Sequence, residues 1–157
     1  MERTSLALAL TGRLPLSGGT IRWSEGDDEP RRISMKRLRA LSSVVDSPDV
    51  TAPEQHMRVH DYVSEMLSYN LPIFGRSRAS RWLAERGLEE LDGLWMDEIS
   101  GEMNMELMAA LAQHSPSDLL VFDTPSRHLN HTYMWLPYLE ELAADEDHPR
   151  TVVAVVP

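Results

Sequence analysis

The sequence predicts an α/β fold: a three-layer, mostly parallel sheet with an N-terminal β-hairpin and a short helix. Between Leu71 and Pro157, short apolar runs alternate with amphipathic segments of helical length, a pattern typical of βαβ units. Nearer the N-terminus, Ser17-Gly18-Gly19 separates two strand-like segments and is a hairpin turn signal. We therefore assign residues 51–157 to the α/β domain and residues 1–50 to a hairpin with a basic helix that packs on it or holds a partner.

Composition narrows the class of protein. The chain has 157 residues, 42% of them hydrophobic and 25% charged, as in ordinary soluble globular domains. It has no cysteine, which excludes disulfides and thiolate sites. No apolar run approaches the ~20 residues that span a bilayer. We expect a cytoplasmic protein without a membrane partner.

The net charge of −10 is uneven along the chain. Residues 1–50 hold eight Lys/Arg against seven Asp/Glu, whereas residues 101–157 hold two against nine. Nucleic-acid backbones require clustered positive charge, so the acidic second half disfavours them. This negative charge favours solubility or binding of a basic protein partner.

The first fifty residues are predicted to form a hairpin, a loop and a helix. These are the strands Ser5–Leu16 and Thr20–Ser24, a loop over Gly26–Pro30 and a helix over Ser34–Asp46. The loop is rich in charges and breakers, and the helix has apolar residues at helical spacing.

The remaining elements alternate between helices and strands. The spelling Thr51-Ala52-Pro53-Glu54 is a capping box, which predicts a helix from there to about Tyr69. The strands that follow are Leu71–Phe74, Gly93–Glu98, Asp118–Phe122 and Thr151–Val156, and the helices are Ser77–Arg86, Glu102–Gln113 and His128–Ala144. Such an order suits a doubly wound sheet, flavodoxin-like or related.

The first candidate site is an anion cradle at Gly75, Arg76, Ser77 and Arg78, where a strand passes into a helix. Free N–H groups and the helix dipole favour anions there, and an arginine can bind phosphate with two hydrogen bonds. This segment is not a P-loop motif, because it has one glycine and no Gly-Lys-Ser/Thr ending. The alternative is a serine cap beside solvated arginines.

Three carboxylates extend this candidate. Asp97 and Glu98 follow one predicted strand and Asp123 follows the next, so a parallel sheet would bring them to one edge. Carboxylates beside phosphate oxygens hold Mg²⁺. The alternative is that they cap the following helices.

Two families share short patterns with the chain. From Leu71 to Pro157 the order of elements resembles the first four strands of a response-regulator receiver domain, which implies a phospho-acceptor role for Asp123. That family's acidic pair is replaced by Gly75-Arg76-Ser77. Leu120-Val121-Phe122-Asp123-Thr124-Pro125 resembles the acidic motif of plasmid-partitioning ATPases, although Leu10–Thr20 has no P-loop lysine.

Two further clusters of residues could bind a ligand or could have a purely structural role. His56 with His60, and His128 with His131, have the spacing of helix-borne metal ligands, but histidines without metal are favoured because the diagnostic His-Glu-x-x-His is missing. A strip of basic residues could bind nucleic acid or form ion pairs with the acidic half of the same molecule. Its members are Arg31, Arg32, Lys36, Arg37 and Arg39.

These observations favour a non-catalytic regulatory or adaptor protein that acts through protein–protein contact. No complete catalytic set emerges, and the Met-rich segment Met103–Met108 is compatible with partner binding. The alternative is a small phosphate-ligand enzyme or sensor that uses the anion cradle and its carboxylates. A second alternative is a nucleic-acid-associated protein. No cofactor is expected, except Mg²⁺ if the carboxylates form a site.

Overall fold

The computed structural model describes residues 3–70 and 76–157, with side chains for 3–69 and 78–157. The helices are α1 (Arg3–Leu10), α2 (Met35–Leu41), α3 (Val59–Asn70), α4 (Arg76–Ala84), α5 (Gly101–His114) and α6 (Thr132–Ala143). The strands are β1 (Arg22–Trp23), β2 (Arg31–Arg32), β3 (Ser42–Val45), β4 (Leu119–Asp123) and β5 (Thr151–Val155), and 3₁₀ turns cover Glu89–Leu91 and Pro125–Arg127.

The predicted α/β class is confirmed. Strands β3, β4 and β5 form a parallel sheet in that order, with Val44, Val121 and Val153 in register. Strands β1 and β2 form a separate antiparallel hairpin. Because successive side chains of a strand face opposite ways, β4 supplies both cores of the sheet.

One face of the sheet packs on α1 and α2. Leu119 and Val121 of β4 join Ala7 of α1 and Leu38 of α2 in this core. The first fifty residues therefore contribute an edge strand and two helices to the same core as β4. A division at residue 50 separates β3 from its partner strand.

The other face packs on α5 and α6. Leu120 and Phe122 of β4 meet Met105 of α5 and Trp135 and Leu139 of α6, which completes the three layers. The far side of α5 packs in turn on α3, α4 and the first 3₁₀ turn through a third core. Its buried members include Val59, Val63, Leu83, Leu91 and Leu107.

The N-terminal elements differ from the prediction in position. Ser5–Leu16 is not a strand, because its Leu/Ala alternation consists of strong helix formers and Arg3–Leu10 is helical. The hairpin joins Arg22–Trp23 to Arg31–Arg32, so its connection is the polar loop that includes Gly26–Pro30.

Two predicted helices are shorter than expected. The helix over Ser34–Asp46 ends at Leu41, and Ser42–Val45 continues as β3, since neighbouring β-branched residues favour a strand. The capping box at Thr51 does not start a helix; α3 begins at Val59. The Thr51 hydroxyl instead accepts a hydrogen bond from the Ser47 amide at 3.0 Å.

The strand predicted at Gly93–Glu98 is wrong. This segment is mostly turn and forms one bridge, between Arg58 and Trp95. Leu94 and Met96 pack on the helical core rather than in the sheet, and Trp95 is exposed. The strands predicted at Asp118–Phe122 and Thr151–Val156 are confirmed. The strand predicted at Leu71–Phe74 lies outside the described residues.

The later helices form where the sequence predicts helices, but their first and last residues differ from the predicted ones. The helix predicted over Ser77–Arg86 is α4 and that over Glu102–Gln113 is α5, which Ser100 caps through the Met103 amide. The helix predicted over His128–Ala144 begins only at Thr132 and keeps Pro137 inside it. Within residues 3–70 and 76–157, no helix is both long and apolar enough to cross a membrane.

Close packing of the segment after α1 on α2 depends on Gly12, which has a φ of +69°. A Cβ there would lie 2.6 Å from the Met35 carbonyl oxygen and 3.1 Å from the Arg39 amide nitrogen. We predict that Gly12→Ala lowers the free energy of unfolding by roughly 2–4 kcal/mol, through left-handed strain and overlap.

The measurement is urea unfolding followed by circular dichroism, with Gly26→Ala as the matched control. Gly26 also has a positive φ (+56°), but a Cβ there meets nothing within 4 Å. Its alanine variant should lose only about 1 kcal/mol from backbone strain. Equal losses for the two variants would contradict the packing role of Gly12.

Candidate functional site

The carboxyl edge of the parallel sheet carries two aspartates in similar settings. Asp46 directly follows β3, and Asp123 is the last residue of β4. Asp46 has a φ of 55°, and Thr124, the residue after Asp123, has a φ of 61°. Both residues therefore adopt the left-handed conformation. That conformation costs a non-glycine residue about 1 kcal/mol or more. Strain at the ends of two neighbouring strands marks this edge as a candidate site.

The Asp123 carboxylate is buried, with 1% of the residue exposed. Its Oδ2 accepts a hydrogen bond from the Ser47 hydroxyl at 2.9 Å, and its Oδ1 accepts one from the Thr124 hydroxyl at 3.1 Å. Hydrogen bonds to both oxygens offset part of the desolvation cost of a buried carboxylate. Asp123 thus links β4 to the loop after β3.

Asp46 is also buried and lies against a histidine. Its Oδ2 is 2.5 Å from Nε2 of His128, and Nδ2 of Asn104 on α5 lies 3.0 Å from Nδ1 and 3.1 Å from Nε2 of the same ring. His128 therefore connects the end of β3, the segment after β4 and helix α5. Gly101 permits this approach, because a Cβ there would overlap the His128 carbonyl.

Arg127 joins the two strand ends through their backbones. Its Nη2 donates to the carbonyl oxygens of Asp46, at 3.0 Å, and of Asp123, at 2.7 Å. One guanidinium thus satisfies two carbonyls that the sheet ladder leaves free.

A cavity of about 710 Å³ opens beside these residues. It lies between the start of α1 and the loops after β3, β4 and β5, and its lining is Arg3, Thr4, Pro48, Thr124, Ser126, Arg127 and Pro157. Two guanidinium groups, three hydroxyls and the first turn of α1 converge on it. Cations, hydroxyl donors and a helix N-terminus together suit an anion.

Among the predicted site residues whose side chains the structure describes, Asp123 alone lies at this edge. Gly75 lies outside the described residues. Arg76 and Ser77 belong to the first turn of α4, although their side chains are not described, and Arg78 is exposed on that helix. A role for this segment as an anion cradle stays a prediction.

Asp97 and Glu98 lie away from the sheet ladder, because the strand expected to carry them is a turn. The Asp97 amide donates to the Gln55 carbonyl at 3.2 Å, and its carboxylate is 3.7 Å from the exposed His56 ring. Glu98 accepts a hydrogen bond from the Trp95 amide at 2.8 Å. Glu98 thus stabilises a turn, whereas the cap of the following helix α5 is Ser100.

The loop after β3, which carries Asp46 and Ser47, was not among the predicted site residues. A signal for it exists: Val44-Val45-Asp46-Ser47-Pro48 and Val121-Phe122-Asp123-Thr124-Pro125 have the same order of two apolar residues, Asp, a hydroxyl residue and Pro. The two segments form neighbouring strand ends in register. Assigning Ser34–Asp46 to one helix concealed this likeness.

A second polar cluster joins His60, Ser80 and Asp92. The Ser80 hydroxyl donates to Asp92 at 2.7 Å, and His60 Nδ1 lies 2.8 Å from the same carboxylate. Burial opposes ionisation of Asp92, but the hydrogen bonds from Ser80 and His60 outweigh it and hold the pKa of Asp92 below its usual value. The Ser80 hydroxyl also lies 3.3 Å from His60 Nδ1, so the three side chains contact one another and link α3, α4 and the turn at Asp92.

The histidine pairs of the sequence are separated by their partners. His56 lies near Asp97, His60 near Asp92, and His128 on Asp46, while His131 stacks on Tyr133. Among the described side chains, no group of three or more metal-type ligands forms.

A wide groove of about 1,240 Å³ lies between β3, α3 and the loop that joins them. Val50, Tyr69 and Trp95 line it and are exposed by 49%, 74% and 37%. Arg58 stacks over the Trp95 ring at 4.2 Å. The exposed carboxylates along it are Asp49, Glu54, Asp61 and Glu65. The groove thus combines apolar side chains with an acidic rim.

Comparison with known proteins supports the fold. No protein-family model matches the sequence, and no curated protein matches it significantly. Among solved structures, a putative ABC transporter (ATP-binding protein) from Pyrococcus furiosus is similar, with a TM-score of 0.64 and 13% sequence identity. The match covers 99% of this chain and 72% of that one. At this identity the similarity shows a shared α/β fold.

We predict that His128→Ala destabilises the protein by roughly 2–4 kcal/mol, because the buried Asp46 carboxylate loses its charged or hydrogen-bonded neighbour. Adding Asp46→Asn should recover part of the loss, since a neutral amide is less costly to bury. Urea unfolding of the single and double variants measures both the loss of unfolding free energy and its partial recovery.

The control is His56→Ala, whose ring is 89% exposed and 3.7 Å from Asp97. Exposed pairs of this kind contribute little, so the loss should stay below about 1 kcal/mol. A His128→Ala variant as stable as this control would show that the Asp46–His128 contact does not hold the edge together.

Proposed function

We propose that the protein binds a nucleotide, through its phosphates, in the cavity at the carboxyl edge of the sheet. The observation that carries this proposal is the convergence of Arg3, Arg127 and the first turn of α1 on one cavity. Ligands of open α/β sheets bind at this edge. The ATP-binding protein of similar fold supports the choice of a nucleotide over other anions.

Asp123 lies behind the cavity and is not part of its lining. Only 1% of the residue is exposed, and both carboxylate oxygens already accept hydroxyl hydrogen bonds, so it is not placed to take a proton. Mg²⁺ that accompanies the nucleotide would therefore be held by phosphate oxygens and water. The function is therefore sensing of the bound nucleotide, with slow or no turnover.

A change at this cavity has a route to the rest of the molecule. Thr124 and Arg127 line the cavity, and Arg127 also bonds to the backbones of both strand ends. The next residue, His128, reaches Asn104 of α5. A ligand that displaces Arg127 would thus alter contacts of the helix that joins the sheet to the helical core.

We predict that ATP with Mg²⁺ raises Tm by roughly 5 °C at a ligand concentration far above Kd. Arg3→Ala should weaken binding about tenfold or more, since an exposed arginine on a phosphate contributes a charge-assisted hydrogen bond. Thermal shift detects binding, and isothermal titration calorimetry measures the affinity.

Arg81→Ala is the matched control, because it removes an exposed arginine of α4 whose partner is Glu85. It should bind ATP as the unaltered protein does. Asp123→Asn, which alters a buried residue outside the cavity lining, should leave ATP binding unchanged and change Tm by only a few degrees. Absence of any shift with ATP, ADP or phosphate, with and without Mg²⁺, would refute the proposal.

A second proposal concerns the groove, and it retains the regulatory or adaptor role. We propose that the groove holds an amphipathic helix with basic residues from a partner protein. The exposed apolar side chains of the groove can pack against the apolar face of such a helix. Its acidic rim is complementary in charge to the basic residues of that helix. Burial together with Asp46 and Glu65 raises the pKa of Tyr62, so this lining side chain stays neutral and donates to the Thr51 carbonyl.

We predict that an amphipathic Leu/Lys peptide of about four helical turns changes the fluorescence of Trp95 on binding. Glu54→Lys with Glu65→Lys should weaken its binding by about tenfold or more, because rim charges are reversed. The control is Glu89→Lys with Glu90→Lys, which reverses two exposed carboxylates on the first 3₁₀ turn. Equal weakening by both pairs would show that the peptide follows net charge and not the groove.

A further inference from the structure

The N-terminal hairpin places like charges side by side. In the register of β1 and β2, Arg22 lies directly opposite Arg32, and both are exposed. Cross-strand neighbours share one face and approach to about 5 Å, where two cations repel. In a chain with a net charge of −10, such a pair calls for an anionic partner.

The opposite face of the hairpin holds it on the sheet. Ile21, Trp23 and Ile33 are partly buried against the core that contains Ala7, Leu38 and Val121. Because side chains alternate along a strand, this anchoring directs Arg22 and Arg32 away from the protein. The charged face is thus a fixed surface feature.

The hairpin is also divided by charge along its length. Its connection carries four exposed carboxylates, and its base carries cations that continue into α2. The carboxylates are Glu25, Asp27, Asp28 and Glu29, and the cations are Arg22, Arg31, Arg32, Lys36 and Arg37. Over the part of the chain that the structure describes, the five ion pairs within 4.0 Å involve none of these nine residues.

We propose that this hairpin binds the hairpin of a second copy of the same chain, side by side and antiparallel. In that arrangement, the acidic tip of each copy faces the basic base of the other. The surface is self-complementary, which a two-fold interface requires, since the same patch is used on both subunits. A nucleic acid fits less well, because the four tip carboxylates would repel its phosphates.

The interface is mostly electrostatic, which sets its properties. Exposed ion pairs are individually weak and are screened by salt, so dimerisation should be reversible. It should also be independent of the nucleotide cavity, whose lining shares no residue with the hairpin. Failure of nucleotide binding would leave this proposal intact.

The experiment measures the dimer dissociation constant by sedimentation velocity at low salt. The base variant carries Arg22→Glu and Arg32→Glu, and the tip variant carries Asp27→Lys and Asp28→Lys. Each alone should weaken dimerisation by about tenfold or more, because like charges then meet at both contacts of the two-fold. Raising the salt from about 50 mM to about 500 mM should weaken the unaltered dimer.

Mixing the two variants gives the decisive result. In a base–tip heterodimer, the new glutamates face the new lysines at one contact, and the original acids face the original arginines at the other. The mixture should therefore form dimers that neither variant forms alone. The control Arg78→Glu with Arg81→Glu makes the same change of net charge on the exposed face of α4 and should dimerise normally. Circular dichroism verifies that every variant is folded.

Three outcomes would overturn the proposal. The unaltered chain could remain monomeric at low salt, the mixture could fail to restore the dimer, or the α4 control could lose dimerisation as fully as the base variant. A monomer that instead retards a duplex oligonucleotide, and loses this in the base variant, would assign the basic residues to nucleic acid.

Discussion

The contact between Asp46 and His128 is the constraint on which the rest of the candidate site depends. It closes the loop after β3 onto the segment after β4, with 2.5 Å between Oδ2 and Nε2, and Arg127 adds two bonds to the same strand ends. These contacts hold Asp46 and Thr124 in the left-handed conformation, which neither residue would adopt by preference. The shape of the edge therefore follows from long-range contacts.

This arrangement separates binding from chemistry. The groups that face the cavity are guanidinium groups, hydroxyls and the start of α1, which attract phosphates. The groups that could take a proton are already engaged, Asp123 by two hydroxyls and His128 by Asp46. We propose that such a site holds an anion and transmits its presence, because its contacts continue through His128 to Asn104 of α5.

Charge is distributed by region and not spread over the surface. Acidic side chains border the groove near α3, and cations occupy the base of the hairpin. The two surfaces belong to different elements, so the helix and the second copy that we propose as partners would use separate parts of the chain. Net charge alone would have indicated only solubility.

Sequence by itself determined the α/β class and the strands β4 and β5, because runs such as Leu119–Phe122 and Thr151–Val155 are apolar, β-branched in part and bounded by breakers. It also located Asp123 at a strand end. It misplaced Ser5–Leu16, the helix start at Thr51 and the strand at Gly93–Glu98, where local patterns suit two structures equally well. Only the tertiary structure decided that Ser42–Val45 completes the sheet, which brings Asp46 and Ser47 beside Asp123. That neighbourhood joins residues 76 positions or more apart, and no local periodicity can specify such a pairing.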